Sequence, residues 1–332
     1  MSARPKILHV NDIAGVGRTL VREARLEGKP WALTTLPPGR GSAINVLRGR
    51  LSHALTWDQV RHDADLIDIH FATNGFYAWG RTPFVCHVHG TDIRRDWSSR
   101  ILGPVITRTL RHAAAVVCAT PDLLDWVRPV RPDAVWLPNP IPHPFLTPPE
   151  VDVQPGRVLM SSRWDDTKGI DVLLPLARLL VERGVDVVGV DWGKDAPLAA
   201  EAGVRLLPRM VACDFAQLIG SADLVVGQLK YPVLSMTDYQ TLIAGRPLVA
   251  AASIEDAPVI AVDIDGRDHA SPSALPRDPE VLADVITEVL DHRGDWSDTV
   301  SAPSALRQWA LDTHHPQACV AALEELYHRI LS

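Results

Sequence analysis

Twice along this chain a series of short apolar runs alternates with amphipathic stretches, and a proline-rich segment separates the two series. The first series holds KILHV (6–10), LIDIH (66–70), FVCHVH (84–89), AVVCA (115–119) and AVWL (134–137). The second holds RVLMS (157–161), VDVVGV (185–190), VRLL (204–207), DLVVGQL (223–229) and PLVAAA (247–252). Near-continuous apolar runs of this length are what a strand buried on both faces requires, and helices between them make parallel sheets. Between the series, 7 of the 27 prolines fall in residues 138–155. Proline has no N–H to donate, so this stretch is expected to be neither helix nor central strand but an extended linker.

The expected fold class is therefore α/β, with two Rossmann-like domains. An N-terminal domain spans 1–145, a proline-rich hinge 146–156, and a second domain 157–314. A final helix, 315–332, carries Val320, Leu323, Tyr327 and Ile330 on one face and is placed to pack back on the first domain. In open sheets of this kind ligands bind at the C-terminal ends of the strands, here facing a cleft. Pro175 is a misfit inside the helical pattern 169–183 and is expected to kink it. The length of 332 residues suits two such domains.

A formal net charge of −7 gives no bulk attraction to nucleic acid, and no nucleic-acid partner is expected. The four cysteines are scattered, with no ligand spacing, so no metal site is expected; Cys86 and Cys118 read as buried strand thiols of a reducing compartment. The N-terminus lacks a signal-peptide core, and no run approaches the ~20 apolar residues of a membrane span. The expected location is the cytoplasm.

Chemistry concentrates in SSRWDDTKGIDVLL, 161–174. A strand ends, a loop carries Arg163, and Lys168-Gly169 opens a helix, whose N-terminus itself favours anions. Two cations there suit a diphosphate. By spacing alone they read equally well as surface charges on a loop. The loop NDIAGVGRTL (11–20) has Gly15 and Gly17 after the first strand. It lacks the third glycine of a dinucleotide loop and the Lys of a Walker loop. The glycines serve either a tight turn or close approach of a substrate to the backbone.

The 161–174 segment resembles the G/S-R-x-x-x-x-K-G-x-D-x-L-L motif of the GT-B retaining glycosyltransferases of family 4. Arg163, Lys168, Gly169, Asp171 and Leu173 fall into register. Further matches follow the family's order: HVHGTDIR (87–94), VVCATPDLL (116–124), WLPNPI (136–141) and LIGSADLVVGQL (218–229). The resemblance covers nearly the whole chain. It implies a GT-B fold, with the acceptor on the first domain, and transfer of a hexose-type sugar from a nucleotide-diphosphate donor on the second. It implies retention, no metal and no other cofactor. Arg163 and Lys168 contact the diphosphate, and His89 approaches the transferred sugar. Gly15, Gly17, Ser235, Met236, Thr237 and Gln240 face the donor. By position alone, His70 ends its strand, and its segment HFATNGFY with Asn74 reads equally as lining the acceptor side or as packing. Base contacts fall near Leu207 to Val211.

One segment departs from the family pattern. Its E-x7-E-A-x-x-x-G-x-P reads PVLSMTDYQTLIAGRP here, 232–247. Pro232 and Gln240 stand at the two Glu positions, with Asp238 nearby. Gln can still accept a ribose hydroxyl bond but without charge assistance. The alternative is thus a GT-B protein that binds a nucleotide or sugar without transferring it. A GT-B epimerase lacks a clear set of extra acids and bases.

Among the other histidines, His87 alternates within its strand and reads as packing, while His314 and His315 read as helix caps. Asp63/Asp65 and Asp263/Asp265 follow no convincing central strand and read as solvated loop acids, not metal ligands. The segment 94–112 mixes Arg94, Arg95, Arg100, Arg108 and Arg111 with apolar residues. It reads as a helix packed on the sheet, with weak peripheral membrane contact as a minority alternative. Acceptors consistent with the resemblance are a small molecule, a glycan or a lipid-linked molecule.

Overall fold

The computed structural model describes residues 4–36, 57, 61–80, 82–252, 259–263, 274–292 and 303–332. The chain divides into two compact units, Met1–Pro142 with His314–Ser332, and His143–Thr313.

In the first unit the strands are β1 (Ile7–Val10), β2 (Trp31–Thr34), β3 (Leu66–His70), β4 (Phe84–Val88), β5 (Ala115–Cys118) and β6 (Val135–Trp136). They form one sheet in the order β2-β1-β3-β4-β5-β6, parallel throughout. The chain goes from β1 to β2 on one side and then restarts at β3 on the other. The switch point therefore lies between β1 and β3. Side chains alternate between two cores, as a pleated strand demands. Leu8, Val10, Ile67, Ile69, Cys86 and Val88 line one. Ile7, Leu66, Val85 and Val117 line the other, with the helices Val16–Leu26 and Pro316–Leu331 packed over them.

The second unit contains β7 (Arg157–Met160), β8 (Asp186–Val190), β9 (Arg205–Leu207), β10 (Leu224–Val226), β11 (Leu248–Ala251), β12 (Ile260–Asp263) and β13 (Leu275–Pro276). Their order is β13-β12-β11-β10-β7-β8-β9, again parallel, so the switch point lies between β7 and β10. Val158, Met160, Leu173, Leu176, Leu180, Val226 and Ile286 belong to its core. The helix Ile170–Glu182 runs through Pro175, whose ring is on the exposed side.

Several expectations are corrected. The proline-rich stretch contains a helical turn, His143–Leu146, where no helix was expected. Phe145 is buried, with its ring edge-on to Phe215 at 6.4 Å, so this turn belongs to the second unit. Proline is tolerated in a first turn, which has no intrahelical use for its N–H. Gln154 N–H donates to the Ser221 carbonyl at 2.9 Å, fixing the rest of the stretch to the same unit. His314 is not a surface cap: it is buried, and its Nδ1 lies 2.7 Å from the Asn139 carbonyl. His315 does cap, accepting from Gln317 N–H at 3.3 Å. Asp263 ends strand β12 instead of lying in a loop, and Asp265 falls outside the described residues. The segment 94–112 is broken between Thr91–Arg94, Asp96–Ser98 and Leu102–His112, so it is no continuous amphipathic helix.

Candidate functional site

In the second unit, the loop after β7 folds on itself. Arg163 Nε is ion-paired with Asp165, and its Nη2 donates to Thr167 Oγ1 at 2.8 Å. The guanidinium lies over the Trp192 ring, 5.4 Å from its centroid, and Arg209 lies over the same ring at 5.4 Å. Trp192 follows β8 and is 47% exposed. Trp164, by contrast, is fully buried and anchors the loop in the core.

Lys168 belongs to the turn that opens the helix Ile170–Glu182. Its carbonyl accepts from Leu229 N–H at 3.0 Å, binding the turn to the chain leaving β10. Gly169 has φ +89°, and a Cβ there would stand 2.9 Å from the Leu229 carbonyl oxygen. Glycine is thus required by both the backbone and the close approach. Asp171, in the motif's acid position, holds Arg277 through two 2.8 Å bonds, and Arg277 Nε donates to the Leu229 carbonyl at 2.7 Å.

Gln228, not singled out from the sequence, organises the next loop. Its amide donates to the Tyr231 and Val233 carbonyls at 2.6 Å and accepts from Lys230 and Tyr231 N–H at 2.9 Å. The helix Met236–Ile243 follows, opened by a capping box between Ser235 and Asp238. Ser235 N–H is bonded to Asp238 Oδ2 at 2.6 Å, so Met236 and Thr237 hold the N–H groups that stay outside the box. Asp238 does not replace the missing glutamates. It is completely buried, and Oδ1 packs where Gly227 leaves room for it. Burial pushes its carboxyl up to about 6, against the opposing pull of its cap bonds and of the Lys168 charge. Gln240 lies one turn further in and is also buried. Arg163, Lys168 and the helix N-terminus at Ser235 thus gather at the ends of β7 and β10, the switch point of this sheet.

In the first unit, positive φ angles mark the same feature. Asn11 (78°), Ala14 (50°) and Phe71 (77°) sit just beyond β1 and β3. Strain at non-glycine residues is retained where surrounding structure enforces it. Gly15, with φ 80°, precedes the helix Val16–Leu26, while a Cβ at Gly17 would meet the Asn11 carbonyl at 2.9 Å. Gly17 therefore makes room for the chain's own backbone. Asn74 Nδ2 donates to the His70 carbonyl at 3.0 Å, closing the turn at Phe71.

His89 follows β4 and is partly exposed. Its backbone N–H and that of Gly90 donate to Asp92 Oδ1 at 3.2 and 2.9 Å, while Ala72 N–H donates to Oδ2 at 2.9 Å. The buried Asp92 thus joins the loops after β3 and β4. Arg94 is bonded to Asp122 and Thr120 instead of standing in solvent.

Beneath His89 lies a polar row that sequence reasoning did not assemble. His70 Nδ1 is 2.8 Å from His89 Nε2, and His70 Nε2 is 3.1 Å from His9 Nδ1. Asp68 is completely buried and accepts from Tyr327 O–H at 2.5 Å. His9, Asp68, His70, His87 and His89 share one sheet face because β1, β3 and β4 are in register, with His9 beside Asp68 and His70 beside His87. Burial holds His70 and His89 well below the ordinary imidazole range and lowers His9 to about 4. These rings are neutral at neutral pH.

Residues 25–143 match the family model described as Glycosyltransferase Family 4. Among curated proteins none matches the sequence. Among solved structures, a sucrose-phosphate synthase from Thermosynechococcus elongatus aligns over 98% of this chain and 99% of its own, at 15% identity and TM-score 0.74. Anabaena HepE in complex with UDP-glucose aligns over 98% and 100%, at 16% identity and TM-score 0.72. AviGT4, a glycosyltransferase involved in avilamycin A biosynthesis, aligns over 98% of both chains at 14% identity and TM-score 0.63. No helix among the described residues is long and apolar enough to cross a membrane. Two parallel sheets and these alignments agree that the chain has the GT-B fold, and residues 25–143 match the glycosyltransferase family 4 model.

Proposed function

We propose that the chain moves a hexose-type sugar from a nucleotide-diphosphate donor to a small-molecule, glycan or lipid-linked acceptor. Transfer proceeds with retention, and no metal is needed on the diphosphate. The observation that carries this reading is the gathering of Arg163, Lys168 and the N-terminus of the helix Met236–Ile243 at the switch point of the second sheet.

In this reading Arg163 and Lys168 neutralise the leaving diphosphate, and the Met236 and Thr237 N–H groups add fixed positive dipoles. Gln240 takes one ribose hydroxyl. His89 positions the sugar, with His70 and Asn74 behind it on the acceptor side and Gly15 and Gly17 shaping the neighbouring loop. The departing phosphate oxygen accepts the proton of the acceptor hydroxyl on the face it leaves, so the new bond forms with retention. The HepE complex holds UDP-glucose, which makes that donor the first to try. Cytoplasmic residence fits the free thiols Cys86, Cys118 and Cys319, all buried. Membrane contact within 94–112 would use Arg100, Ile101 and Arg111, which are exposed.

Thermal-shift screening of nucleotide diphosphates and their sugars identifies the donor, because a molecule bound only by the folded state raises Tm. With that donor, Lys168→Ala is expected to lower kcat/KM for transfer about 10²-fold or more. An unchanged kcat/KM removes Lys168 from the site. The second reading, binding without transfer, is favoured by Pro232 and Gln240 at the two family carboxylate positions. A donor that binds by calorimetry but is neither transferred nor hydrolysed selects it.

A further inference from the structure

Three imidazoles converge at the ends of β3 and β4. His87 and His89 are two apart on β4 and the residue after it, so they point to one side of the sheet. His70 ends β3 directly beside His87 and points the same way. One ring nitrogen from each of the three lies within 4.8 Å of the others. The ring centroids are 5.0, 5.1 and 4.8 Å apart, and the planes are within 30° of parallel. Three near-equal separations describe a triangle; a stacked column would double one of them. The rings therefore surround a common centre.

Two further observations call for a cation there. His87 is 1% exposed, and among the described residues neither of its ring nitrogens has a hydrogen-bond partner. A buried polar group normally has one, since leaving it unpaired costs about 1–3 kcal/mol. Asp68 Oδ1 is equally unpaired, and among the described residues no Lys or Arg is bonded to this carboxyl. Its Oδ2 stands 3.8 Å from His87 Nδ1. A carboxylate behind a ligating histidine is the usual outer partner of an imidazole-bound metal ion.

We propose that His70, His87 and His89 bind a borderline transition-metal ion of the Zn²⁺ class, one ring nitrogen each, with Asp68 as the outer carboxylate on His87 and water in the fourth position. Neutral imidazoles are the donors such an ion takes, at Zn–N distances of about 2.0–2.1 Å. Tetrahedral angles then set the nitrogens about 3.3 Å apart. His70 and His89 separate slightly from their 2.8 Å contact and His87 moves inward. The proton shared by His70 and His89 passes to the far nitrogen of the ring that carries it, so no net proton is released. The ion enters past His89, the partly exposed member. Binding stands apart from the transfer reading. One consequence does rest on it: an ion that occupies His89 withdraws it from the sugar, so metal binding is inhibitory.

The full chain, freed of metal with a chelator and dialysed, is titrated with Co²⁺ and then Zn²⁺. The expected result is one Co²⁺ per chain, intense visible absorption of a tetrahedral site, its loss on adding one equivalent of Zn²⁺, and a higher Tm with Zn²⁺. His89→Ala and His87→Gln each lower affinity at least 100-fold, and Asp68→Asn lowers it about 10–100-fold. His89 is the variant least exposed to misfolding, and near-ultraviolet circular dichroism confirms that each variant is folded. Absence of the Co²⁺ spectrum and of the Tm shift in the wild type overturns the proposal. So does unchanged affinity in folded His89→Ala. Binding that leaves transfer uninhibited upholds the metal site and overturns the assignment of His89 to the sugar.

Discussion

Asp68, Asp92 and Asp238 are all completely buried, and their surroundings decide three different outcomes. Asp92 accepts three backbone N–H bonds and serves as a joint between loops. Asp68 accepts from the Tyr327 hydroxyl and stands 3.9 and 3.8 Å from ring nitrogens of His9 and His87. Asp238 has its capping-box bonds, but burial dominates and raises it from 3.8 to about 6. The folded state thus keeps a proton on Asp238 that the unfolded chain releases at its ordinary value. Between those values the folded state binds more protons, so this group's contribution to stability falls as pH rises from about 4 to 6, by about 3 kcal/mol in all. Asp238→Asn keeps the oxygen that accepts from Ser235 and removes the titration. Urea unfolding across that window is expected to show a shallower decline for the variant; equal slopes would disprove the assignment.

The loops after β7 and β10 are held by unlike devices. The turn at Lys168-Gly169 is pressed against Leu229, and the loop 229–233 is wrapped around Gln228. Gly169→Ala adds a Cβ at φ +89° and 2.9 Å from a carbonyl oxygen. Strain of this kind costs roughly 2 kcal/mol, and the ends of β7 and β10 must move apart to relieve it. Chemical denaturation should register that loss of stability, and an unaltered midpoint would show that the turn yields freely. Gly169 was marked by its motif and its φ follows from its place before a helix. Gln228 carried no such mark, because one glutamine after an apolar run does not announce four backbone partners.

The chain crosses from one unit to the other and back, so its last helix completes the first unit. Val320, Leu323 and Tyr327 cover Ile7, Leu66 and Val85, and Tyr327 gives Asp68 its hydroxyl bond. Deleting residues 316–332 would uncover that core and leave a buried carboxylate without its donor, together costing on the order of several kcal/mol. Calorimetry of the truncated chain is expected to lose the first unit's unfolding transition; retention of both transitions would refute this. The amphipathic face of this helix was legible, as were ten of the strands, since periodicity and apolar runs are local properties of the sequence. Strands β2, β12 and β13 were not: β2 and β13 are edges of four and two residues, and β12 lies between β11 and β13 with only four residues. The loop cations Arg163 and Lys168 could likewise be picked out, because a strand end, a glycine and a helix start are consecutive in the chain. The histidine triangle could not: His-x-His at 87 and 89 is only a spacing until register sets His70 beside it, and register is a relation between strands distant in sequence. Local pattern therefore determined the layered α/β plan and the loops that carry Arg163 and Lys168, whereas the neighbours of His87 and Asp68 were decided by which strands the folded sheet brings side by side.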